Sequence, residues 1–289
     1  MKPPVFAYHR PDTVEQALAL LVEHEDAKPL AGGQSLIPAM NFRLAAPAVL
    51  VDLGALEGLR GISTQGNELR IGAMTTHSSV ERSPEVARVA PLLAEAMPHI
   101  AHPQIRNRGT LGGSLAHADP AAELPAVMLA LGARLVLQSA QAERRVAARD
   151  FFTGLFATAL APGELVTAIE IAALPARSGV AFEEFARRHG DFALVGVAAV
   201  VTLDEGGRCR EARIALLSVG EGPVLAERAA AALHDEQPNP EAIRAAAEAA
   251  GTDDIDPPAD LHASAAYRRQ LARVLTRRAL SRAVDRARA

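Results

Sequence analysis

The chain has 289 residues, of which 49% are hydrophobic and 22% are charged. This length exceeds one typical domain of roughly 100 to 200 residues, so we expect two domains, each with its own core. The net charge is -4, so the chain does not have the excess of basic residues that is typical of a nucleic-acid-binding protein. A single cysteine, Cys209, excludes an intrachain disulfide framework and any four-cysteine iron-sulfur or zinc site in this chain.

The sequence shows no membrane or export signal. Its first residues contain no apolar signal core, and the longest apolar stretch, residues 192–203, is too short to span a bilayer. We therefore expect a cytoplasmic protein with no membrane anchor.

The N-terminal region predicts a helix, a strand and a glycine loop. Thr13 and the apolar spacing after it indicate an amphipathic helix over residues 12–24. A strand at residues 29–31 runs into Gly32-Gly33-Gln34-Ser35. A short helix is predicted over residues 36–44 with Ser35 as its cap.

A second glycine loop follows two strands and a helix. The strands are predicted at residues 49–51 and 69–72, and one helix is predicted from Ser83-Pro84 to Met97. The loop lies within residues 106–115, and residues 120–131 predict the next helix.

The pattern changes after residue 150. Strands are predicted at residues 165–171, 180–185, 192–203 and 212–217, with a hairpin turn at residues 205–207. From Val224 onward the sequence predicts helices. Residues 175–179 are the best linker candidate, so the chain reads as an N-terminal α+β region followed by a smaller domain of strands and then helices.

The two glycine pairs are candidate anion sites. Without a Cβ, backbone N–H groups can approach an anion closely, and two such loops suit two phosphates. Ser35, Thr110 and Ser114 add hydroxyl donors, and both loops precede helix starts. One glycine pair alone is weak evidence, because tight turns need glycine for geometric reasons. The sequence contains neither a Rossmann fingerprint, a nucleotide P-loop nor a nucleophile elbow.

Longer motifs carry a specific resemblance. They are Ala31-Gly32-Gly33-Gln34-Ser35-Leu36-Ile37-Pro38, residues 106–114, residues 118–125, residues 71–77, Gly163-Glu164-Leu165, Arg187-Arg188-His189-Gly190-Asp191 and residues 262–268. In order and spacing this set closely resembles the FAD-binding medium subunit of the xanthine dehydrogenase and carbon monoxide dehydrogenase family. The similarity extends over almost the whole chain.

The resemblance implies an α+β fold in two domains. Residues 1–175 would form an FAD-binding domain of the vanillyl-alcohol-oxidase (PCMH) type, with subdomains at about 1–54 and 55–175. Residues 176–289 would form a small α+β domain like the C-terminal domain of the carbon monoxide dehydrogenase flavoprotein. The two loops would hold the FAD pyrophosphate, Ile100 would pack on the flavin, Glu123 would lie near the ribityl and adenosine hydroxyls, and Val166 would form an apolar wall. The implied cofactor-binding residues are Pro29, Leu30, Ala31, Gly32, Gly33, Gln34, Ser35, Leu36, Ile100, Thr110, Leu111, Gly112, Gly113, Ser114, Glu123 and Val166.

Three residues depart from the commonest family pattern. Ser114 stands where Asn is usual, Glu123 where Asp is frequent, and Glu184 where many members have Lys. The first two keep their hydrogen-bonding type. The third removes a cation that would stabilise the reduced, anionic flavin, so backbone donors would have to replace it.

The resemblance also implies a function. The chain would be the oxidoreductase subunit that passes electrons from partner [2Fe-2S] clusters through FAD to an external acceptor, with no side chain acting as acid, base or nucleophile. Its partners would be a molybdopterin-binding large subunit and a [2Fe-2S] small subunit, in a dimer of heterotrimers. Two alternatives stay open: a stand-alone FAD-dependent oxidoreductase of the same fold, and an assembly module that has lost its cofactor.

Several residues have simpler interpretations. His99, His102, His117 and Asp119 have spacings that could ligate a metal, but we expect hydrogen-bonding or solvent-facing roles and no metal site. We expect Cys209 to be inert. His77 could lie near the flavin or could cap or pack a helix. Eight arginines after Ser264 predict a solvated or partner-docking helix face, with an apolar stripe packed on its own domain.

Overall fold

The structure is a computed structural model that describes residues 2–289. The helices of this range, numbered α1 to α12 in chain order, are Val14–Glu23, Leu36–Asn41, His77–Glu81, Pro84–Val89, Pro91–Ala96, Pro103–Arg106, Leu111–His117, Glu123–Leu131, Ala148–Phe151, Glu227–Ala231, Pro240–Thr252 and Ala265–Arg288. The strands, β1 to β14, are Ala7–His9, Ala27–Leu30, Val49–Asp52, Ile62–Gln65, Glu68–Gly72, Arg134–Gln138, Glu143–Ala147, Phe152–Gly154, Ala157–Thr158, Leu165–Ala172, Ser178–Ala186, Ala193–Leu203, Cys209–Leu217 and Val224–Leu225.

The first part of the chain forms a small parallel sheet. Its strand order is β1-β3-β2, and both pairs are parallel. Helix α1 covers the sheet through Ala17 and Leu18, which share a core with Val49 and Val51. The Thr13 side chain accepts a hydrogen bond from the Gln16 N–H, as its cap pattern predicted. The first glycine loop therefore leaves the carboxyl end of β2, the edge at which open α/β sheets bind ligands.

A five-stranded antiparallel sheet forms the second part, in the order β4-β5-β10-β6-β7. Its core includes helices α4, α5, α7 and α8. The single helix predicted from residue 83 to 97 is wrong, because the chain breaks at Ala90 between α4 and α5. Ala90 has φ -129° and precedes Pro91, whose ring disfavours a helical conformation at the residue before it.

The C-terminal part is a four-stranded sheet, β11-β12-β13-β14, with apolar contacts on both faces. On one face, Val180 and Phe182 join the core of the five-stranded sheet. On the other face, Ala181 and Val197 share a core with α12, which in turn packs against α11. The long apolar runs of β11 and β12 follow from this double burial. The prediction that everything after Val224 is helical misses β14 and the irregular segment 253–264.

Most arginines of α12 make hydrogen bonds or ion pairs within the fold, and Arg282, Arg286 and Arg288 are also exposed to solvent, so the predicted solvated face is accompanied by intramolecular bonds that were not predicted. Six of the eight contact other parts of the chain: Arg268, Arg269, Arg273, Arg282, Arg286 and Arg288. Arg282 Nη2 and Arg286 Nη1 lie 2.7 and 2.5 Å from the Glu95 carboxylate on α5, which also accepts the Phe182 N–H. Glu95 thus joins the C-terminal part to the rest of the chain.

Candidate cofactor site

The first glycine loop offers unused backbone donors. Gly33 has φ +72°, a conformation that favours glycine. Within the described residues 2–289, the N–H groups of residues 33–36 donate to no protein acceptor. The Ser35 side chain makes no cap bond to α2, contrary to its predicted role, so its hydroxyl is free. The loop therefore presents several donors with no partner in the protein.

The two glycine loops lie side by side. A Cβ on Gly32 would overlap the backbone of the second loop, coming within 2.8 Å of Gly109 Cα. A Cβ on Gly113 would lie 3.2 Å from Ala31 Cβ of the first loop. The glycines therefore let the two backbones touch, and they bring both sets of predicted residues to one place.

Most backbone donors of the second loop are already used by the protein. The Leu111 N–H donates to Thr75 O at 3.0 Å, and the Gly112 N–H donates to Ala73 O at 2.8 Å. The Gly113 N–H donates to Thr110 Oγ1 at 3.2 Å. A Cβ on Gly112 would lie 2.9 Å from Ala73 Cα and O. Gly112 thus serves close packing, and the unused donors are concentrated in the first loop.

Ile100 and Val166 line the same core close to the second loop. Both are nearly buried. The Ile100 carbonyl accepts a hydrogen bond of 3.0 Å from Arg106, just before the loop. Val166 lies at a bulge in β10, and the next residue, Thr167, accepts the Ala73 N–H at 2.9 Å. Backbone hydrogen bonds therefore connect the two predicted apolar wall residues, or their neighbours in the chain, to residues that contact the second loop.

Glu123 is the acid of the site whose pKa departs most from its ordinary value. It begins α8, is only 6% exposed, and has a pKa raised to about 7, chiefly by burial and then by the charge of Glu184. Glu184 is itself buried and lies 3.3 Å from His99 Nδ1. The hydrogen bond that His99 donates to Glu184 raises the pKa of His99. The residue that stands where many family members have lysine, Glu184, is thus paired with a histidine.

The sequence patterns did not predict the pairing of His99 with Glu184, because the two residues are 85 positions apart. His99 drew attention only as one of several spaced histidines. Among residues 2–289, no group of three His, Cys, Asp or Glu side chains is arranged to hold a metal ion.

Two other candidate residues are buried in packing positions. His77 follows the cap residue Thr76 and is 5% exposed, beneath Gly109 of the second loop. Burial lowers its pKa to about 4, so the ring is neutral at ordinary pH. Cys209 is buried in β13, and burial raises its thiol pKa to about 11. A packing role for His77 and an inert thiol are both consistent with these environments.

Comparison with protein families identifies both parts of the chain. Residues 4–174 match the FAD binding domain in molybdopterin dehydrogenase, and residues 180–283 match the CO dehydrogenase flavoprotein C-terminal domain. The chain is 46% identical over 289 residues to the 6-hydroxypseudooxynicotine dehydrogenase complex subunit alpha of Paenarthrobacter nicotinovorans, covering 100% of this chain and 97% of the relative. It is 43% identical to the carbon monoxide dehydrogenase medium chain of Afipia carboxidovorans, with 99% of each covered.

Solved structures show the same fold. The chain superposes on carbon monoxide dehydrogenase from Hydrogenophaga pseudoflava with a TM-score of 0.96 at 42% identity, covering 99% of both chains. With quinoline 2-oxidoreductase from Pseudomonas putida 86 the TM-score is 0.94 at 40% identity, covering 100% of both chains. The α+β fold predicted from the sequence is confirmed. None of the helices within residues 2–289 is long and apolar enough to cross a membrane. The chain belongs to the FAD-binding medium subunits of the molybdenum hydroxylases, and it is the flavoprotein component of an oxidoreductase.

Proposed function

We propose that the two glycine loops together hold the pyrophosphate of FAD, and that the first loop donates most of the hydrogen bonds. The first loop would supply the N–H groups of residues 33–36, because none of them has a protein partner in the described range. The second loop would supply the Ser114 hydroxyl and the close packing that fixes the first loop in place. The free donors of the first loop are the observation that carries this assignment.

The full proposed site consists of the two loops and three further residues. Ile100 and Val166 give apolar surface, and Glu123 gives a buried acceptor for hydroxyl groups. The proposed FAD-binding residues are Pro29, Leu30, Ala31, Gly32, Gly33, Gln34, Ser35, Leu36, Ile100, Thr110, Leu111, Gly112, Gly113, Ser114, Glu123 and Val166.

Bound FAD supplies the capacity to accept electrons singly and to release them in pairs. This chain's residues would bind and orient the cofactor and exclude water from it, and none would act as a catalytic acid, base or nucleophile. The chain would pass electrons from the [2Fe-2S] clusters of a small partner subunit to an external acceptor. With one cysteine, the chain cannot hold such a cluster by four thiolates itself.

We extend the proposal to organisation and assembly. Residues 1–54 and 55–175 would be the two subdomains of the FAD domain, and residues 176–289 the second domain. The three larger sheets support this division, because each is built from strands of only one of these ranges. A molybdopterin-binding large subunit would complete a heterotrimer, two heterotrimers would form the dimer, and the complex would be cytoplasmic. The relatives named as a complex subunit and a medium chain support partner subunits.

The first experiment is an absorption spectrum of the purified chain, with chromatography of the cofactor released on denaturation. Flavin bands and about one FAD per chain are expected. The Ser35→Ala and Ser114→Ala variants should each bind FAD more weakly, by about three- to tenfold for one lost hydrogen bond. Ser281→Ala removes a hydroxyl that bonds within α12 and serves as the control. A colourless protein that FAD cannot reconstitute would contradict the proposal and favour the assembly module.

A further inference from the structure

Three titratable side chains from separate elements meet beside the proposed site. Glu123 begins α8, Glu184 lies on β11, and His99 ends a 3-10 turn over residues 97–99. We call these three residues the acid-histidine cluster. Glu184 follows Phe182 on the face of β11 that packs on the FAD domain, since alternate residues share a face. The cluster is therefore built across both parts of the chain.

The hydrogen bonding of this cluster is incomplete. One Glu184 oxygen lies 3.3 Å from His99 Nδ1, and the other is buried without a partner among residues 2–289. The Glu184 side chain is 6% exposed. Glu123 accepts no hydrogen bond from another residue of the described chain. Because unpartnered buried oxygens are costly, the cluster is suited to receive donors from a ligand.

Two residues of the cluster adjoin proposed FAD-binding segments in the chain. Helix α7 begins at the second glycine loop and spans seven residues, or about 10 Å. The chain then turns at Ala118, which has φ +50°, and reaches Glu123. His99 immediately precedes Ile100, one of the proposed apolar walls. The cluster thus contains one residue that follows the second glycine loop in the chain and one that directly precedes a proposed flavin contact.

We propose that Glu184, oriented by its hydrogen bond with His99, is a positioning residue that keeps Glu123 able to hold a proton, and that FAD binding drives this proton into solvent. The proposal rests on the proposed contact between Glu123 and the FAD hydroxyls. A carboxylate accepts hydrogen bonds from hydroxyls through both oxygens, whereas a carboxylic acid loses part of this capacity. The proton leaves the Glu123 carboxyl, the hydroxyl donors take its place, and no bond of FAD is broken.

The charges around Glu123 act on its pKa in opposite directions, and those that raise the pKa include the largest one, Glu184. Negative Glu184 and Asp119 favour the protonated form of Glu123, whereas protonated His99 opposes it. Glu95 of α5 faces His99, and its carboxylate is neutralised by Arg282 and Arg286.

The other elements packed on α8 carry their charges elsewhere. β12 and β14 have no titratable side chain. Arg213 of β13 lies at the opposite end of α8 beside Gly132, Arg149 of α9 pairs with Glu227, and His117 of α7 contacts Phe156. Glu184 is thus the principal charged group that favours a proton on Glu123.

The test is calorimetric titration of FAD into apo-protein in two buffers of different ionisation enthalpy, which counts released protons. The pKa of Glu123 near 7 predicts about 0.9 proton per FAD at pH 6 and about 0.1 at pH 8. The FAD dissociation constant should fall about tenfold per unit between pH 5 and 6.

Three variants test which side chain releases the proton when FAD binds. Glu123→Gln should abolish the release, and Glu184→Gln should reduce it at pH 6 because the repulsive charge is gone. Glu183→Gln removes the same charge from the opposite face of β11, where Arg282 pairs with it, and should leave the release unchanged.

The outcomes separate this inference from the proposed function. Absence of FAD binding to the wild-type chain would refute both. FAD binding without proton release would refute the coupling alone, as would a Glu184→Gln variant that folds, binds FAD and releases protons like the wild type. Proton release that persists in Glu123→Gln would also overturn it.

Discussion

Replacing Gly112 with alanine should destabilise the FAD domain even without cofactor. A Cβ at this position would lie 2.9 Å from Ala73 Cα and O and closer still to Ala73 Cβ. Ala73 lies beside β5, and the Gly112 N–H donates to its carbonyl at 2.8 Å. Since the obstacle includes backbone, no side-chain rotation can relieve it.

Overpacking of this kind costs about 1–3 kcal/mol, and a strained hydrogen bond adds about 1 kcal/mol. For a domain of this size, each kcal/mol lowers Tm by roughly 2–4 °C. The Tm of apo Gly112→Ala should therefore lie about 4–16 °C below that of the wild type. The assay is circular dichroism of matched apo samples, with far-ultraviolet spectra compared at 20 °C.

Gly58→Ala is the matched control, since a Cβ there has nothing within 4 Å. Its Tm should stay within about 1 °C of the wild type, in line with ordinary surface substitutions. Gly113→Ala gives an intermediate case, because its obstacles are only the side chains of Thr110 and Ala31. A Gly112→Ala protein as stable as Gly58→Ala would refute the view that Gly112 is required for packing.

Three further predictions concern other buried groups. Because the folded-state pKa of His77 is about 4 against an ordinary 6.5, its unfolded form binds the extra proton, so stability falls as pH drops from 6.5 to 4. Between pH 7 and 5, protonation of His77 in the unfolded chain should lower the free energy of unfolding by about 2 kcal/mol. In urea unfolding, His77→Leu should therefore lose about 2 kcal/mol less than the wild type over this pH range; an equal loss in both proteins would contradict the prediction. Glu95→Gln should cost about 1–3 kcal/mol, because it weakens charged hydrogen bonds to Arg282 and Arg286, whereas the exposed Asp256→Asn should change little in the same assay. Cys209 should not react with a thiol reagent in the native protein at pH 8 and should react fully in denaturant, since it is buried with a thiol pKa of about 11; rapid native labelling would contradict its burial.

Local sequence patterns predicted most individual elements. The Thr13 cap predicted the start of α1, and an apolar run predicted β12. The break at Pro91 was also present in the sequence, but the apolar spacing continued through it and suggested one helix. Helical periodicity persisted there because α4 and α5 bury their apolar faces in the same core.

Contacts between distant residues could not be predicted in the same way. The pairing of His99 with Glu184 depends on how β11 packs on the FAD domain. The arginine-rich sequence of α12 indicated a solvated face, and only the position of Glu95 on α5 shows that the exposed Arg282 and Arg286 also bind a carboxylate within the fold. Likewise, the glycine pairs indicated an anion site, but the sequence could not show that Gly112 packs on Ala73.

The shared core has a consequence for domain exchange between members of the family. Val180 and Phe182 from β11, and Ala198 and Val200 from β12, belong to the same apolar cluster as the five-stranded sheet. A fragment cut near residue 175 would expose that cluster to water. A chimera that joined this N-terminal part to a relative's C-terminal part would have to match side-chain volumes across the junction as well as sequence at the linker. The two parts are therefore better inherited or engineered as one unit.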